Sequence, residues 1–564
     1  MSLRESLTMP TVPVPHDESL PSKPIVQKFS AGRGRWKIGA ALLALACLAQ
    51  SVLWVMWWED PTHFKMSVLF VWPAAVFSLL VWWTFFSGWS WQVRLGALGA
   101  GCAAVVAFFS LFHLDRFDGD MVPTRIVPAW RPNADQAARE FIASIPAKKP
   151  ASVTDADSAL DAAPLVASEG DWPGYRGSNR MGVVREVSLR TDWSARPPKE
   201  LWKHPVGKAW SSFAVIGDMA FTQEQRGESE AVVAYRLASG EQVWSHLDPV
   251  KLSASDAQGG SGPRATPQFD NGLLYTQGAT GLLNCLDAAT GRRVWSADIL
   301  KDAGTPGSPV PNLGWGTAGS PLVVDQFVIV VPGGKDEKSV VAYDKQTGQR
   351  AWSGGSRIAS YGSPRVETLL GERTVLVPLG DGLAGHALAD GRELWFFKWG
   401  NGPQVNGAQP LLVADNSLLF GCGYGVGTVR LDLAREKSIW TVTQRWHSNR
   451  FRPKFNDFVS HNGHVFGLDD GTLTCLDIET GKVKWKSGRY GYGQLLLVGE
   501  TLLILSEDGR VIFRPATTSV SEELANFQNF QALDPNGITW NHPVLVHGKL
   551  LVRNAIEAAC FDLE

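Results

Sequence analysis

The chain has 564 residues, of which 53 are Lys or Arg and 55 are Asp or Glu, so its formal net charge at pH 7 is -2. This balance gives no basic footprint for nucleic acid, and we expect no nucleic-acid partner. The six cysteines are scattered through the sequence without the CxxC spacing of a structural metal site, and we expect neither a metal centre nor a disulfide framework.

The N-terminal part of the chain is predicted to be a membrane anchor. Residues 38–58, 66–88 and 95–114 are apolar stretches of about the 20 residues that cross a bilayer. The apolar run 38–58 is too long for the core of a cleaved signal peptide, which has about 7 to 15 residues. Basic residues are concentrated in residues 1–37, which predicts a cytoplasmic tail. The anchor, residues 38–114, is expected in a bacterial inner (cytoplasmic) membrane, and three crossings would leave the following chain on the periplasmic or extracellular side.

The next interval, residues 115–170, is rich in Ala, Pro and Asp and has no sustained apolar period. This composition favours a flexible linker with at most one short helix. We expect a folded domain to occupy residues 171–564.

A short phrase that ends in tryptophan then returns six times. The tryptophans stand 51, 57, 43, 45 and 45 residues apart, which is the period of a four-stranded propeller blade. A glycine lies four residues before the Trp in every copy except one, which has Glu436 and must turn differently. Because they recur in every blade, these residues are interpreted as scaffold. The structural tryptophans are Trp244, Trp295, Trp352, Trp395, Trp440 and Trp485.

Two weaker units, residues 494–518 and 542–564, follow the six copies and bring the blade count to eight. The last unit has no strand ending in Trp. Residues 200–206 have the pattern to supply it, and such pairing would remove the exposed sheet edges. The predicted fold is therefore all-β: an eight-bladed β-propeller closed by an N-terminal strand and preceded by three transmembrane α-helices.

The residues at the heads of the innermost strands do not repeat, so they are the candidate ligand site. Aromatic residues recur two positions before the polar strand heads, and one mouth of the central funnel should present stacking faces and a guanidinium group. These side chains either plug the channel or line a site, since closed propellers often fill their centre. No catalytic residue is predicted. The candidate funnel residues are Trp210, Arg264, Tyr361, Phe455, Asp457, Tyr492, Trp540 and His542.

The repeat [YL]-D-x-x-T-G-x-x-x-W, the lead-in DWPGYRGSNRMG at residues 171–182 and the string NLGWGTAGSPLVV at residues 312–324 resemble the pyrroloquinoline-quinone-like (PQQ-like) propeller superfamily. The resemblance implies one of two branches. One comprises quinoprotein alcohol and glucose dehydrogenases, which hold PQQ and calcium in the funnel. The other comprises non-enzymatic propellers similar to the assembly protein BamB.

The sequence departs from the dehydrogenase branch because it has no adjacent cysteine pair and only one carboxylate, Asp457, at the strand heads. Calcium would need several converging oxygen ligands. We therefore predict a membrane-anchored extracytoplasmic module for binding or assembly, without catalysis or cofactor, that holds a protein or small ligand at the funnel. The alternative is a PQQ-dependent dehydrogenase that uses PQQ and calcium, oxidises an alcohol or aldose and passes electrons to membrane quinone.

Overall fold

A computed structural model describes residues 36–56, 61–117, 123–130, 134–145, 165–185, 189–254, 259–305, 313–529 and 538–564. The chain divides into two compact units, Met1–Ala107 and Phe108–Glu564. The predicted tail, residues 1–37, lies almost wholly outside the described residues.

The described part of the first unit consists mainly of helices, and the last of them continues into the second unit. Helix α1 spans Trp36–Met56, α2 spans Pro61–Val81 and continues as a π-helical turn, Trp82–Phe86, and α3 spans Trp91–Leu111. All three are long and apolar enough to cross a membrane, as predicted. Arg94 of α3 donates to the carbonyl oxygens of Thr84 (2.6 Å) and Trp89 (2.8 Å), which satisfies backbone acceptors at the break before α3.

The interval 115–170 contains more structure than predicted. Two paired strands, Phe112–Phe117 and Pro123–Pro128, precede helix α4, Ala134–Ser144. The helix is the short one expected, whereas the strand pair has no counterpart in the prediction because six-residue strands leave too little periodicity to recognise. The Phe141 ring of α4 stacks on the His204 ring at 4.7 Å, so α4 packs against the folded domain and is not part of a free tether.

Eight sheets follow, and they confirm the predicted propeller. Each blade has four antiparallel strands, ordered from its inner to its outer edge, and the sheet of blade 7 contains a fifth, parallel strand. Blades 1 to 4 are Ala214–Ile216, Met219–Arg226, Ser229–Arg236, Gln242–Asp248; Gln268–Asp270, Leu273–Gln277, Leu282–Asp287, Arg293–Asp298; Leu322–Val324, Phe327–Val330, Val340–Asp344, Arg350–Gly354; and Arg365–Leu369, Glu372–Leu379, Gly382–Ala387, Glu393–Lys398.

Blades 5 to 8 are Leu411–Ala414, Ser417–Cys422, Gly427–Glu436, Ile439–Ser448; Val459–His461, His464–Asp469, Thr472–Asp477, Val483–Arg489; Gln494–Val498, Thr501–Leu505, Arg510–Pro515, Ala525–Gln528; and Val544–Val546, Lys549–Arg553, Glu557–Asp562, Lys199–Pro205. A short helix α5, Ile299–Asp302, follows blade 2. The two-residue strand Val183–Val184 adds in parallel to the inner strand of blade 7.

The core of the domain lies between adjacent blades. The second and third strands of most blades are buried along their length, whereas the fourth strands consist mostly of exposed and half-buried residues. The apolar clusters accordingly combine residues from neighbouring sheets, as where Phe466 of blade 6 packs in one cluster with Leu502 of blade 7. Each blade thus depends on its two neighbours for burial.

The ring closes as predicted, because Lys199–Pro205 pairs antiparallel with Glu557–Asp562. Trp202 lies opposite Cys560 in this pair and donates its indole N–H to the Leu237 carbonyl oxygen of blade 1 at 2.8 Å. The closing strand therefore carries the interblade tryptophan that the last unit lacks.

A buried ionic network reinforces the closure. The fully buried Arg553 of blade 8 donates to Thr222 Oγ1 (2.7 Å) and to the Gly207 carbonyl oxygen (3.1 Å). Glu224 of blade 1 accepts from the Gly207 amide (3.1 Å) and from the Tyr235 hydroxyl (2.6 Å). Residues from both sides of the seam thus hold the segment that follows the closing strand.

One of the predicted structural tryptophans is misassigned. In blade 5 the interblade position is occupied by Trp446, which lies beside Gly481 of blade 6 and donates to the Ile478 carbonyl oxygen at 2.9 Å. Trp440 instead pairs with Arg435, near the tip of a longer hairpin. The reason is the turn, since Glu436 replaces glycine and the chain reverses at the next residue, Lys437, which has a φ of 56°. The strands are consequently extended beyond the usual turn.

Candidate functional site

The polar residues that open the inner strands form a belt around the channel, which we call the polar belt. Successive blades are linked within it: the Ser212 amide donates to Thr266 Oγ1 (3.2 Å), the Thr266 amide to Ser320 Oγ (2.9 Å), and the Ser320 amide to Ser363 Oγ (2.9 Å). The belt therefore holds the blades in register. Its members are Ser212, Thr266, Ser320, Ser363, Gln409, Asp457, Gln494 and His542.

The centre of the channel is occupied by the chain's own residues 171–182, which we call the central segment. Trp172 forms a β-bridge with Val215 of blade 1, and the Pro173 carbonyl oxygen accepts from the Phe269 amide of blade 2 at 2.7 Å. At its other end the Gly182 carbonyl oxygen accepts from the Leu497 amide of blade 7. The two ends of the segment are thus attached to blades 1, 2 and 7.

Tyr175 and Arg176 of the central segment meet the polar belt at Asp457. This carboxylate accepts from the Tyr175 hydroxyl (2.6 Å) and the Gln409 amide (2.6 Å), and lies 3.2 Å from the Arg176 guanidinium. Burial opposes ionisation of Asp457, but Arg176 and the hydrogen bonds outweigh it and hold the pKa of the carboxyl well below its usual range. The ion pair is therefore formed inside the protein at neutral pH.

His542 is the fourth group at this point, with Nε2 3.4 Å from Asp457 Oδ2. Burial lowers the pKa of His542 in spite of the nearby carboxylate. Burial likewise raises the pKa of the Tyr175 hydroxyl well above its usual value, and the charge of Asp457 adds to the effect. At neutral pH the cluster therefore holds one carboxylate, one guanidinium and two neutral rings.

Arg180 fills the opposite side of the channel. Its guanidinium donates to the Pro364 carbonyl oxygen at 2.7 Å and also to the Pro321 carbonyl oxygen, at the inner strands of blades 4 and 3. Burial lowers its pKa to about 9, so Arg180 remains a cation at neutral pH. With Tyr175 and Arg176 it connects most of the ring to one short segment.

One mouth of the channel is lined by aromatic side chains that contact one another, and we call it the aromatic vestibule. Trp210 and Trp540 have ring centroids 4.6 Å apart, and Phe455 lies 6.4 Å from Trp540. Trp315 joins Tyr361 (4.8 Å) to Phe455 (5.7 Å). Most of these rings remain half-buried. The vestibule comprises Trp210, Trp315, Tyr361, Tyr424, Phe455, Tyr492 and Trp540.

Two charged side chains, Lys454 and Glu507, contact rings of the aromatic vestibule. The buried Lys454 ammonium lies 4.4 Å from the ring centroid of Tyr424 and 4.9 Å from that of Tyr492, as cation–π contacts require. Glu507 accepts from the Trp540 indole N–H at 2.8 Å. These contacts fix the orientation of the buried Tyr492 ring and of the half-buried Tyr424 and Trp540 rings.

The structure brings most of the predicted funnel residues together, but at two levels. Trp210, Tyr361, Phe455, Tyr492 and Trp540 belong to the aromatic vestibule. Asp457 and His542 lie in the polar belt, where the central segment covers them.

Arg264 borders the vestibule beside Trp210 and Tyr361, and its guanidinium donates to the carbonyl oxygens of Gly262 and Gly260, the latter at 2.7 Å. The prediction missed the central residues Tyr175, Arg176 and Arg180, and also Trp315. The lead-in and the GWG string that contain them were both visible as family motifs, but neither has a place in the blade repeat.

A known family model matches part of the propeller. The family model for the outer membrane protein assembly factor BamB matches residues 228–487, from the third strand of blade 1 into the fourth strand of blade 6. These are PQQ-like propeller repeats. No curated protein matches the sequence significantly.

Solved structures share the PQQ-like propeller fold at low sequence identity. A europium-containing methanol dehydrogenase is 13% identical, with a TM-score of 0.51, over 71% of this chain and 99% of the other. The quinohemoprotein alcohol dehydrogenase ADHIIG from Pseudomonas putida HK5 is 14% identical, with a TM-score of 0.50, over 70% and 80%. BamB from Moraxella catarrhalis is 14% identical, with a TM-score of 0.46, over 64% and 97%. The likeness to the two dehydrogenases shows the fold alone.

The residues of this PQQ-like propeller do not fit PQQ with calcium. Asp457, the carboxylate of the polar belt, already accepts from Tyr175, Gln409 and Arg176, and the guanidinium would repel a cation placed beside it. Within the described ranges no three His, Cys, Asp or Glu side chains are grouped so that they could hold a metal ion.

Proposed function

We propose that the chain is a membrane-anchored, extracytoplasmic PQQ-like propeller that binds a partner at its aromatic vestibule and catalyses no reaction. The observation that carries the proposal is the central segment, whose Tyr175, Arg176 and Arg180 fill the middle of the channel. A ligand that enters the vestibule therefore meets half-buried rings above a fixed polar floor.

The surface chemistry favours a protein or small ligand with apolar or planar groups. Partly exposed Trp and Tyr rings bury large areas at low entropic cost and are enriched at binding hot spots. The matching family model, which describes an outer membrane protein assembly factor, supports a partner-binding role for this chain. The three apolar helices that precede the propeller support an anchor in the bacterial inner membrane with the propeller outside the cytoplasm.

The proposal is tested by cross-linking the full-length protein in its native membrane and identifying the cross-linked partners. Trp540→Ala and Tyr361→Ala are each expected to abolish the cross-link to a partner that the wild type binds. Trp440→Ala is the matched control, because Trp440 lies on the outer hairpin of blade 5 and should leave the partner bound. An unchanged set of partners in the vestibule variants, with unchanged melting temperatures, would place the binding site elsewhere.

A second assay addresses the dehydrogenase alternative. The full-length protein is incubated with PQQ and calcium, and dye reduction is measured with alcohols and aldoses. We expect no reduction above the protein-free control. Saturable, PQQ-dependent reduction that survives in Trp440→Ala would refute the non-catalytic proposal.

A further inference from the structure

The strand pair Phe112–Phe117 and Pro123–Pro128 begins where helix α3 ends and belongs to no blade of the propeller. Just after its second strand, the Ala129 amide donates to the Leu111 carbonyl oxygen of α3 at 2.8 Å. The last carbonyl groups of a helix have no partner inside the helix, and this hydrogen bond satisfies one of them. It also holds the base of the strand pair at the end of α3.

The base of the strand pair carries exposed apolar side chains, which we call the apolar patch. Phe112 lies opposite Pro128 in the register, and Ile126 shares their face because side chains alternate along a strand. The Phe112 ring stacks on the Phe108 ring of α3 at 5.3 Å and lies 6.3 Å from the Trp130 ring. Trp130 is 71% exposed and Ile126 is 53% exposed. The patch comprises Phe108, Phe112, Ile126 and Trp130.

The length of α3 places the apolar patch at the level of a membrane surface. At about 1.5 Å per residue, the 21 residues of α3 extend about 31 Å, which matches a hydrocarbon core of about 30 Å. Each end of the helix then lies beside the lipid headgroups, where Trp rings are enriched. Trp91 is at the first end of α3, and the strand pair brings Trp130 back to the last end.

We infer that the apolar patch inserts into the interfacial layer of the lipid bilayer, so that the strand pair rests on the membrane surface. The inference depends on the anchor proposed above and goes beyond it, because it assigns a lipid-binding element outside the three helices. An indole ring suits this position, since its apolar body packs on acyl chains while its N–H meets the headgroups.

Lipid is favoured over a second copy or a partner protein because the patch continues the surface of α3. Phe109, beside Phe108 at the end of this helix, is itself 61% exposed, as expected of a side chain that faces lipid. The strand pair also contains the charged residues Asp115, Arg116 and Arg125. Charged residues are costly in the hydrocarbon core, so the insertion is shallow and confined to the headgroup level.

A strand pair on the membrane surface limits how far the propeller lies from the bilayer. Helix α4 begins at Ala134, and its Phe141 ring stacks on His204 of the closing strand. An extended chain spans at most about 3.6 Å per residue, so Trp130 and Ala134 are at most about 14 Å apart. The propeller is thereby held next to the bilayer.

The test is electron paramagnetic resonance of single spin labels on the full-length protein, reconstituted in nanodiscs of phosphatidylethanolamine and phosphatidylglycerol. The labels are attached to cysteines introduced as Trp130→Cys and, as a second position in the patch, Ile126→Cys. The background carries Cys47→Ala and Cys102→Ala, because these native cysteines are exposed whereas the four of the propeller are buried. Collisions are measured with oxygen, which dissolves in lipid, and with a water-soluble nickel chelate.

Two further positions serve as references. Ile439→Cys, at an exposed site of 74% near the tip of the blade 5 hairpin, is the matched aqueous control for Trp130. Phe109→Cys, on α3, is the lipid reference. The labels at residues 126 and 130 should lose most nickel collisions relative to residue 439 and keep oxygen collisions. Their ratio of oxygen to nickel collisions should lie between those at residues 439 and 109.

Nickel collisions at residues 126 and 130 equal to those at residue 439, with residue 109 in lipid, would overturn the inference and leave the anchor intact. Protection of both patch positions from oxygen as well as nickel would also overturn it, because protein would then cover the patch. A label at residue 109 that is accessible to nickel would refute the anchor itself, and with it the membrane part of the proposed function.

Discussion

The contact between Gly481 and the tryptophan of the preceding blade can be tested by a double-mutant cycle. Gly481 has a φ of +68°, and a Cβ atom there would lie 2.5 Å from Cδ2 of Trp446. Gly481→Ala is therefore expected to cost about 1–2 kcal/mol for the left-handed backbone and about 1–3 kcal/mol more for overpacking against the indole. Only the second cost depends on Trp446.

In a Trp446→Ala background the overpacking disappears, so the added cost of Gly481→Ala should fall by about 1–3 kcal/mol. In a Trp440→Ala background the full cost of Gly481→Ala should persist, because Trp440 pairs with Arg435 near the hairpin tip. An unfolding entropy of about 2.1 cal/mol/K per residue over residues 171–564 gives about 0.8 kcal/mol per kelvin. The coupling should therefore appear as about 1–4 °C in the apparent melting temperature, followed by tryptophan fluorescence.

If Trp440→Ala reduced the destabilisation caused by Gly481→Ala and Trp446→Ala did not, the register of the fourth strand of blade 5 would be refuted. It would mean that the regular spacing of the sequence repeat identifies the interblade tryptophan correctly and that the contact described for Trp446 is wrong.

Deletion of residues 199–206 should abolish cooperative melting of the propeller, because it removes the partner of Glu557–Asp562 and the buried Trp202. An unchanged cooperative transition would contradict the closure. Glu230→Gln should stabilise the protein above pH 7 by about 3 kcal/mol and flatten its pH dependence. Burial raises the pKa of Glu230 from 4.5 to about 7, so wild-type stability is fully present below pH 4.5 and falls until about pH 7. Thermal melts from pH 4 to 8 measure this, with the exposed Glu228→Gln as control; an equal pH dependence of wild type and Glu230→Gln would contradict it.

The blade count and the closing strand could be predicted because both follow from a repeated pattern. Each blade presents alternating apolar residues and a turn, and the unit without its last strand identified the place for Lys199–Pro205. The same reliance on the repeat caused the error at Trp440. A turn without glycine changed the hairpin length, and a regular spacing concealed the change.

The candidate site was predictable only where it follows the blades. Trp210, Phe455 and Trp540 occupy equivalent positions at the strand heads and do line one mouth of the channel. Tyr175 and Arg180 were not found, because the central segment belongs to no blade. Its contacts join residues far apart in the sequence, such as Tyr175 and Asp457, and no local periodicity encodes them.

The pairing of Lys199–Pro205 with Glu557–Asp562 also determines the order of events during synthesis. The closing strand leaves the ribosome before any of the eight blades, yet its partner belongs to the last. Until then Trp202 can contact only blade 1, and the closing strand has no partner strand, while seven blades accumulate with an open edge at each end. Such a nascent intermediate can aggregate through its edges. Its maturation should accordingly depend on a chaperone that shields the first strand until translation of the last blade is complete.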